Sequence, residues 1–302
     1  MKSVCITGAT SFLGVRTVAR LKLEGLAVTL IVRRDSDLTR FDDQDVTHAV
    51  YTYDGTTGSL VAALAAARPD ACFHIAGAYV REHLPEDVDR LIESNVRFGA
   101  QLLEAMKESG PAYLVNVGSA FQHYHSDDYA PLNFYAATKQ AFADILAYYE
   151  SAHGIVSATI KLPDVYGSGD WRPKIMNRIV EAHMNGAPLD LVDKSTVLGL
   201  VHVDDACDAL MHCARLLMDD AQSVAGKSFA VDGRNQHSLA EIVSTVRDVT
   251  GRSVDLNWGA YATPPRHVVV PWSGTPLPNW DPKIDLEEGV RRLAHSIEAP
   301  SS

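Results

Sequence analysis

Ser3-Val4-Cys5-Ile6-Thr7-Gly8-Ala9-Thr10-Ser11-Phe12-Leu13-Gly14 decides the fold: a short apolar run stops at one glycine, and a second glycine follows after five residues. Beyond it Val15, Val18, Ala19, Leu21 and Leu23 recur at helical spacing, so strand, tight turn and helix are expected in that order. Such a turn aims backbone N–H groups and the positive end of a helix dipole at a pyrophosphate. Gly8, Thr10, Ser11, Phe12, Leu13 and Gly14 are therefore candidate cofactor contacts. Ser11 stands where a middle glycine is common; it restricts the backbone more, but it adds a hydroxyl able to bind phosphate.

Working outward, a second strand over 27–32 closes on Arg33-Arg34-Asp35. The residue at this strand end faces the adenosine ribose in dinucleotide-binding folds, where an acid suits the free 2'-hydroxyl of NAD and an arginine the 2'-phosphate of NADP. Arg33 comes first, which favours NADPH with Arg34 beside it; the alternative is that Asp35 takes the ribose. A strand over 46–53 leads to Asp54 at the adenine edge, and a helix over 57–67 follows. The next strand, 71–75, contains His74, read as a core histidine, and opens on Ala76-Gly77-Ala78, small enough to let a cofactor lie against the backbone. A long helix over 85–108 carries Asn95, whose amide either bonds neighbouring backbone or joins a proton relay. The strand 113–117 delivers Gly118-Ser119. A helix over 133–153 then places Tyr135 and Lys139 four residues apart on one face, a phenol beside an ammonium. A neighbouring positive charge favours the phenolate and makes the phenol a better proton shuttle.

Strands alternating with helices specify a parallel sheet with helices on both faces, and ligands bind beyond the carboxyl ends of its strands. Gly8, Arg33, Asp54, Gly77 and Ser119 all fall at such ends, so one edge of the sheet collects the candidates.

The segment 7–14 with Asn95, Ser119, Tyr135 and Lys139 resembles the extended short-chain dehydrogenase/reductase family. The resemblance implies an α/β, Rossmann-type doubly wound parallel sheet with a smaller C-terminal substrate-binding lobe. It implies Tyr135 as acid/base, Lys139 on the nicotinamide ribose lowering the tyrosine pKa, Ser119 on the substrate oxygen, and Pro163 near the nicotinamide. More narrowly, Gly118-Ser119-Ala120-Phe121-Gln122-His123-Tyr124, residues 135–142 and Leu277-Pro278-Asn279-Trp280-Asp281-Pro282-Lys283 are similar to the CDP-abequose synthase type of nucleotide-sugar 4-ketoreductase. That branch implies NADPH-dependent reduction of a 4-keto-6-deoxyhexose on a nucleoside diphosphate. Dehydratases of the wider family carry Asp-Glu after the catalytic hydroxyl residue, where Ala120-Phe121 stands here. A nucleotide-sugar 4-epimerase uses much the same catalytic residues and stays open, as does an aromatic-ketone reductase. A redox-sensing regulator of the same fold tends to lose the tyrosine, which is present here.

The second half reads as a strand over 156–162, then Pro163-Asp164, with Asp164 facing the sugar or its phosphate by resemblance although relatives commonly carry asparagine. Arg172 and Lys174 are either diphosphate ligands or solvated loop charges. A helix over 175–185 follows, a strand over 198–203 is expected to return to the sheet, and Asp204-Asp205 suit a helix N-terminus. A short strand over 229–232 precedes Ser238-Leu239-Ala240-Glu241, a capping box. The proline-rich segment 264–282 is read as a wrap over the substrate cleft, with Arg266 the first candidate for the diphosphate. Residues 299–302 are expected to fray. The expected division is a cofactor domain over 1–162, completed by about 196–235, with 163–195 and 236–302 forming the substrate lobe.

With 302 residues, 46% of them hydrophobic, the chain has material for a sizeable core. A formal net charge of −11 argues against a nucleic-acid partner. No apolar run is long enough for a membrane and no signal-peptide core precedes the first strand, so a cytoplasmic enzyme is expected. Cys5, Cys72, Cys207 and Cys213 form no metal-binding spacing, and buried thiols are expected rather than disulfides or a metal site. Apolar positions on the helices over 85–108 and 133–153 leave room for a four-helix homodimer seam, usual in the family.

Overall fold

A computed structural model describes residues 1–41, 49–124, 127–231, 236–262, 266–268 and 270–298. The first half alternates as the apolar runs dictate: β1 (Ser3–Thr7), α1 (Phe12–Leu23), β2 (Ala27–Arg33), β3 (Ala49–Tyr53), α2 (Thr57–Ala67), β4 (Ala71–His74), α3 (Asp87–Ile92), α4 (Phe98–Ser109), β5 (Tyr113–Ser119), α5 (Phe134–His153) and β6 (Val156–Leu162). The second half adds β7 (Asp164–Tyr166), α6 (Ile175–Asn185), β8 (Leu189–Leu191), β9 (Val197–His202), α7 (Val203–Asp219), α8 (Ala221–Val224), β10 (Lys227–Ala230), β11 (Gln236–Ser238), α9 (Leu239–Thr250), β12 (Leu256–Trp258) and α10 (Leu286–Glu298).

The main sheet runs β10-β6-β5-β4-β1-β2-β3, and every pairing in it is parallel. Strand order reverses between β1 and β4, which opens a crevice at their carboxyl ends. One face of the sheet is covered by α1 and α7, where Phe12, Leu13 and Leu21 pack with Leu210, Cys213 and Leu217 over Ile6, Val115 and Ile160. The other is covered by α2, α4 and α5 through Leu60, Leu64, Leu102, Met106, Phe142 and Leu146 over Cys5, Cys72 and Leu114. Each such side chain withdrawn from water contributes roughly 1.5–3 kcal/mol. The four cysteines are buried free thiols, with Cys5 and Cys72 paired in register on β1 and β4. A separate cluster joins α6, α9 and α10 through Ile179, Val180, Ile242, Val246, Val290 and Leu293. The Ser238 capping box opens α9 with both of its hydrogen bonds formed.

Three expectations are corrected. The strand after residue 197 does not return to the main sheet: β9 pairs with β7 in parallel and β11 in antiparallel. Pro163 has no N–H to extend the β6 ladder, so the chain steps out after Leu162, and the edge beyond β6 is taken by β10. The helix expected over 85–108 is interrupted by a π-helical stretch, Glu93–Arg97, with Asn95 at its centre. The strand placed at 229–232 runs Lys227–Ala230, with Asp232 outside the described residues. Of the expected third strand, 46–48 also lie outside them, as do Pro264 in the proline-rich segment and the terminus at 299–302.

Asp204 and Asp205 do lie in the first turn of α7, but they do more than complement its dipole. Asp204 pairs with Arg16 at 2.7 Å, and Asp205 accepts the backbone N–H groups of Lys283 and Ile284. The second bond pair ties the C-terminal segment to the start of α7.

Candidate active site

The turn after β1 is built as its glycines require. Gly8 has φ +72°, and a Cβ there would lie 2.5 Å from the backbone nitrogen of Ala76. Only glycine lets the β1 and β4 ends approach so closely. Ser11 is the N-cap of α1: its Oγ accepts the Gly14 N–H at 3.0 Å. The hydroxyl expected to reach a phosphate thus caps the helix, leaving the N–H groups of Phe12 and Leu13 at the positive end of its dipole. Together with the small residues Ala76, Gly77 and Ala78 facing the turn, this arrangement fits a dinucleotide pyrophosphate.

Around the turn, Arg33 and Arg34 are exposed, and Arg33 Nε meets Asp35 at 3.4 Å, so the two rival ribose readers are paired with each other. Asp54 does not project freely: its Oδ1 accepts from the Thr56 N–H at 2.9 Å and hydroxyl at 2.7 Å, which hold its carboxyl below the usual carboxylate range. Asp54 thus anchors the turn that leads into α2 while remaining exposed beyond the end of β3.

Asn133 caps α5 by accepting the Ala136 N–H, and Tyr135 and Lys139 follow on one face. Their tips diverge. Lys139 is 4% exposed and donates to the Val117 carbonyl at 2.9 Å; burial alone pulls its ammonium down to about 8. Burial pushes the Tyr135 phenol well above its ordinary range, with Tyr79 and Asp164 adding to the rise and the nearby Ser119 opposing it. The expected lowering of the tyrosine pKa by the lysine does not act on the phenol in this structure, where the ammonium donates to the Val117 carbonyl. Ser119 is the N-cap of a short turn, Ala120–Gln122, with its Oγ accepting the Phe121 N–H at 3.2 Å and its own N–H held by Gln122.

Asn95 takes the first of its two expected roles. Its Oδ1 accepts the Ala78 N–H at 2.7 Å, while its Nδ2 donates to the Ala78 carbonyl at 2.9 Å and to Thr138 at 2.8 Å. The π-helical stretch turns this buried amide inward to clamp the 76–78 segment against α5. A Cβ on Gly77 would lie 3.2 Å from both Asn95 Oδ1 and Lys139 Nζ, so these two groups flank that glycine. His74 bonds Thr7 at 2.8 Å and is held neutral, pulled down to about 3 by burial and by the Lys139 charge.

The proposed substrate residues divide. Asp164 meets Lys174 at 2.8 Å, each about a quarter exposed, near Tyr135. Arg172 instead forks onto the fully buried Asp170 carboxylate, Nε and Nη2 each at 2.7 Å. Arg266 donates to the carbonyls of Leu132 and Pro131 and lies 4.5 Å over the Tyr124 ring. Both arginines of the sequence argument are therefore anchored in protein contacts: Arg172 stiffens its own loop, and Arg266 pins the proline-rich segment to the loop before α5. Pro163 follows directly on β6.

Sequence reasoning missed Tyr79, whose ring meets that of Tyr135 edge-on at 5.0 Å and lies under Lys174 at 5.0 Å. Its signal was its place directly after Ala76-Gly77-Ala78. Also missed was Lys161, buried, bonded to His123 at 2.7 Å, with His123 stacked on Trp272 at 4.0 Å. Among the described residues no helix is long and apolar enough to cross a membrane.

Known proteins match this arrangement. The CDP-abequose synthase of Salmonella muenchen is 22% identical over 300 residues, covering 97% of each chain. That of Yersinia pseudotuberculosis is 24% identical over 212 residues, covering 70% of this chain and 72% of its own. The crystal structure of Thermus thermophilus UDP-glucose 4-epimerase in complex with NAD superposes with a TM-score of 0.80 at 22% identity, covering 99% of this chain and 100% of that one. The model of the NAD dependent epimerase/dehydratase family matches residues 4–225, from the first strand through the Tyr135 helix to the end of the main sheet's supporting helices. A match over so much of the chain, on a site built as above, makes this protein a member of that family of NAD(P)-dependent enzymes.

Proposed function

We propose that the protein reduces the 4-keto group of a nucleoside-diphosphate-linked 4-keto-6-deoxyhexose, with NADPH as reductant. The observation that carries the reading is the placement of Ser119, at the end of β5, close enough to the Tyr135 phenol to act on it, beside a buried Lys139. A bound nicotinamide supplies the hydride. Ser119 holds the substrate oxygen, and Tyr135, kept protonated by its surroundings, gives its proton to that oxygen. Lys139, buried and flanking Gly77, would hold the ribose of a bound cofactor. A net reduction consumes a proton at this point, which suits a tyrosine held in its acid form. Ala120-Phe121 after Ser119 leaves no acid pair to strip water from a hexose, and the matched CDP-abequose synthases support a sugar-nucleotide substrate. Asp164 and Lys174 are the polar groups offered to it, while Arg172 and Arg266 shape the cleft through the loops they hold. We further propose that Arg33 and Arg34 read the 2'-phosphate, and that two copies pair through the α3–α4 and α5 helices, where Ile92 and Tyr148 are exposed.

A second reading, 4-epimerisation with retained NAD, is favoured by the Arg33–Asp35 pair, which offers an acid at the ribose, and by the NAD held in the similar epimerase structure. The two are separated by incubating the protein with NADPH or NADH and TDP-, CDP-, GDP- and UDP-linked 4-keto-6-deoxyhexoses. Stoichiometric cofactor oxidation with one of them is expected; none across the panel refutes the reductase reading. An epimerase interconverts 4-hydroxy sugars with no net oxidation. Arg33→Ala is expected to erase a preference for NADPH over NADH, and an unchanged preference removes the 2'-phosphate assignment.

A further inference from the structure

The loop after β7 reaches across to the glycine turn. Arg172 locks its base on buried Asp170, whose carbonyl also accepts from Asn177 Nδ2 at 2.6 Å. From that base Trp171 projects, 47% exposed. Its ring meets Phe12, the first residue of α1, edge-on at 6.1 Å, and the Arg172 guanidinium lies 4.9 Å over the same phenylalanine. On the other side of the turn, Arg40 donates to the Thr10 carbonyl at 2.9 Å, is steadied by Asp37 at 3.1 Å, and lies 3.8 Å over the Trp171 ring. Thr10 and Phe12 flank Ser11, the N-cap, so a chain of contacts Thr10–Arg40–Trp171–Phe12 links the two sides of the turn through residues 131 positions apart in sequence.

We propose that Trp171 and Arg40 are cofactor-retaining residues: their stack bridges the pyrophosphate site, and a dinucleotide leaves only when it opens. The inference rests on the reading of the glycine turn as a dinucleotide site. The stack suits the task because a cation over an aromatic face is attractive yet local, so it parts without disturbing the buried Asp170–Arg172 base. It also leaves guanidinium charge at the mouth of a site for a polyanion. Retention matters differently in the two functional readings: a reductase must open this bridge in every cycle, whereas an epimerase keeps it shut.

The test is a stopped-flow displacement assay. Protein loaded with NADPH, and in parallel with NADH, is mixed with excess oxidised cofactor, and release is followed by the fluorescence of the reduced nicotinamide. Trp171→Ala and Arg40→Ala are each expected to release cofactor roughly tenfold faster, the ratio expected for a lost cation–π contact. The double variant is expected to match the singles, because they share one contact, and Trp171→Phe to keep most of the retention. Circular dichroism checks that each variant is folded. Wild-type release rates in folded Trp171→Ala and Arg40→Ala overturn the inference and leave the dinucleotide reading intact. A wild-type protein that binds neither cofactor overturns both.

Discussion

Replacing Lys139 by methionine is expected to make the protein more stable while abolishing its activity. The ammonium's pKa falls from 10.5 to about 8 through burial. At about 1.4 kcal/mol per pH unit, keeping it charged at pH 7 costs the folded state about 3 kcal/mol. Methionine removes that cost and fills a similar volume. Against this, the Val117 carbonyl loses the donor at 2.9 Å, and an orphaned buried acceptor costs about 1–3 kcal/mol. A net gain of about 1 kcal/mol at pH 7 follows. The sign of the pH dependence is a sharper check. Between pH 8 and 10.5 the unfolded chain keeps a proton that the folded chain has released, so wild-type stability rises with pH through that window. The methionine variant lacks that rise. Its advantage over wild type is therefore full below pH 8 and shrinks, then reverses, as pH approaches 10.5. Urea denaturation of both proteins without cofactor, at pH 7, 8, 9 and 10, measures the gap directly. A gap that stays constant across these pH values, or a variant less stable at pH 7, refutes the claim that Lys139 is a strained buried charge. A protein that retains such a charge uses it, which is why the same variant should show no turnover.

Tyr135→Phe is expected to lower kcat by roughly 10²–10⁴ with the cofactor dissociation constant unchanged; a loss under tenfold would remove the phenol as proton donor. Asn95→Ala orphans the half-buried backbone groups of Ala78 and should cost about 1–3 kcal/mol in urea denaturation, with Asn95→Asp intermediate; a loss under about 0.5 kcal/mol would mean that the clamp on Ala78 is dispensable. Gly8→Ala forces a Cβ to 2.5 Å from the Ala76 nitrogen at φ +72°, so the purified variant should bind no dinucleotide in titration calorimetry and melt several degrees lower; wild-type affinity would contradict the close β1–β4 approach.

The parts of the molecule legible in the sequence are those governed by short, periodic rules. The glycine turn between β1 and α1, α2 at 57–67, β6 at 156–162 and α6 at 175–185 follow from apolar spacing and local caps, and they lie where those signals put them. Tyr135 and Lys139 share a face because four residues make about one helical turn. What spacing does not encode is where a side chain's tip goes. Lys139 turns to the Val117 carbonyl, and burial rather than the ammonium governs the Tyr135 phenol. The π-helical stretch at Asn95 is likewise invisible to periodicity, since one extra residue in a turn leaves the flanking apolar pattern readable as plain helix.

The arginines show why a surface built from backbone groups is easier to read in sequence than the reach of a long side chain. A backbone N–H at a helix N-terminus has a direction fixed by the helix, so Gly8 to Gly14 imply a phosphate-facing surface as soon as the turn is identified. A guanidinium at the end of three methylenes goes to the best acceptors within reach. For Arg172 these are the carboxylate oxygens of Asp170, two residues back and buried; for Arg266 they are two carbonyls some 130 residues upstream. The first pairing was readable from Asp170-Trp171-Arg172, because an acid two residues from an arginine in a glycine-bounded loop competes with any ligand. The second needed the tertiary fold. Competition of this kind leaves Lys174 and Asp164, held near the phenol and still a quarter exposed, as the charged pair proposed above for the substrate.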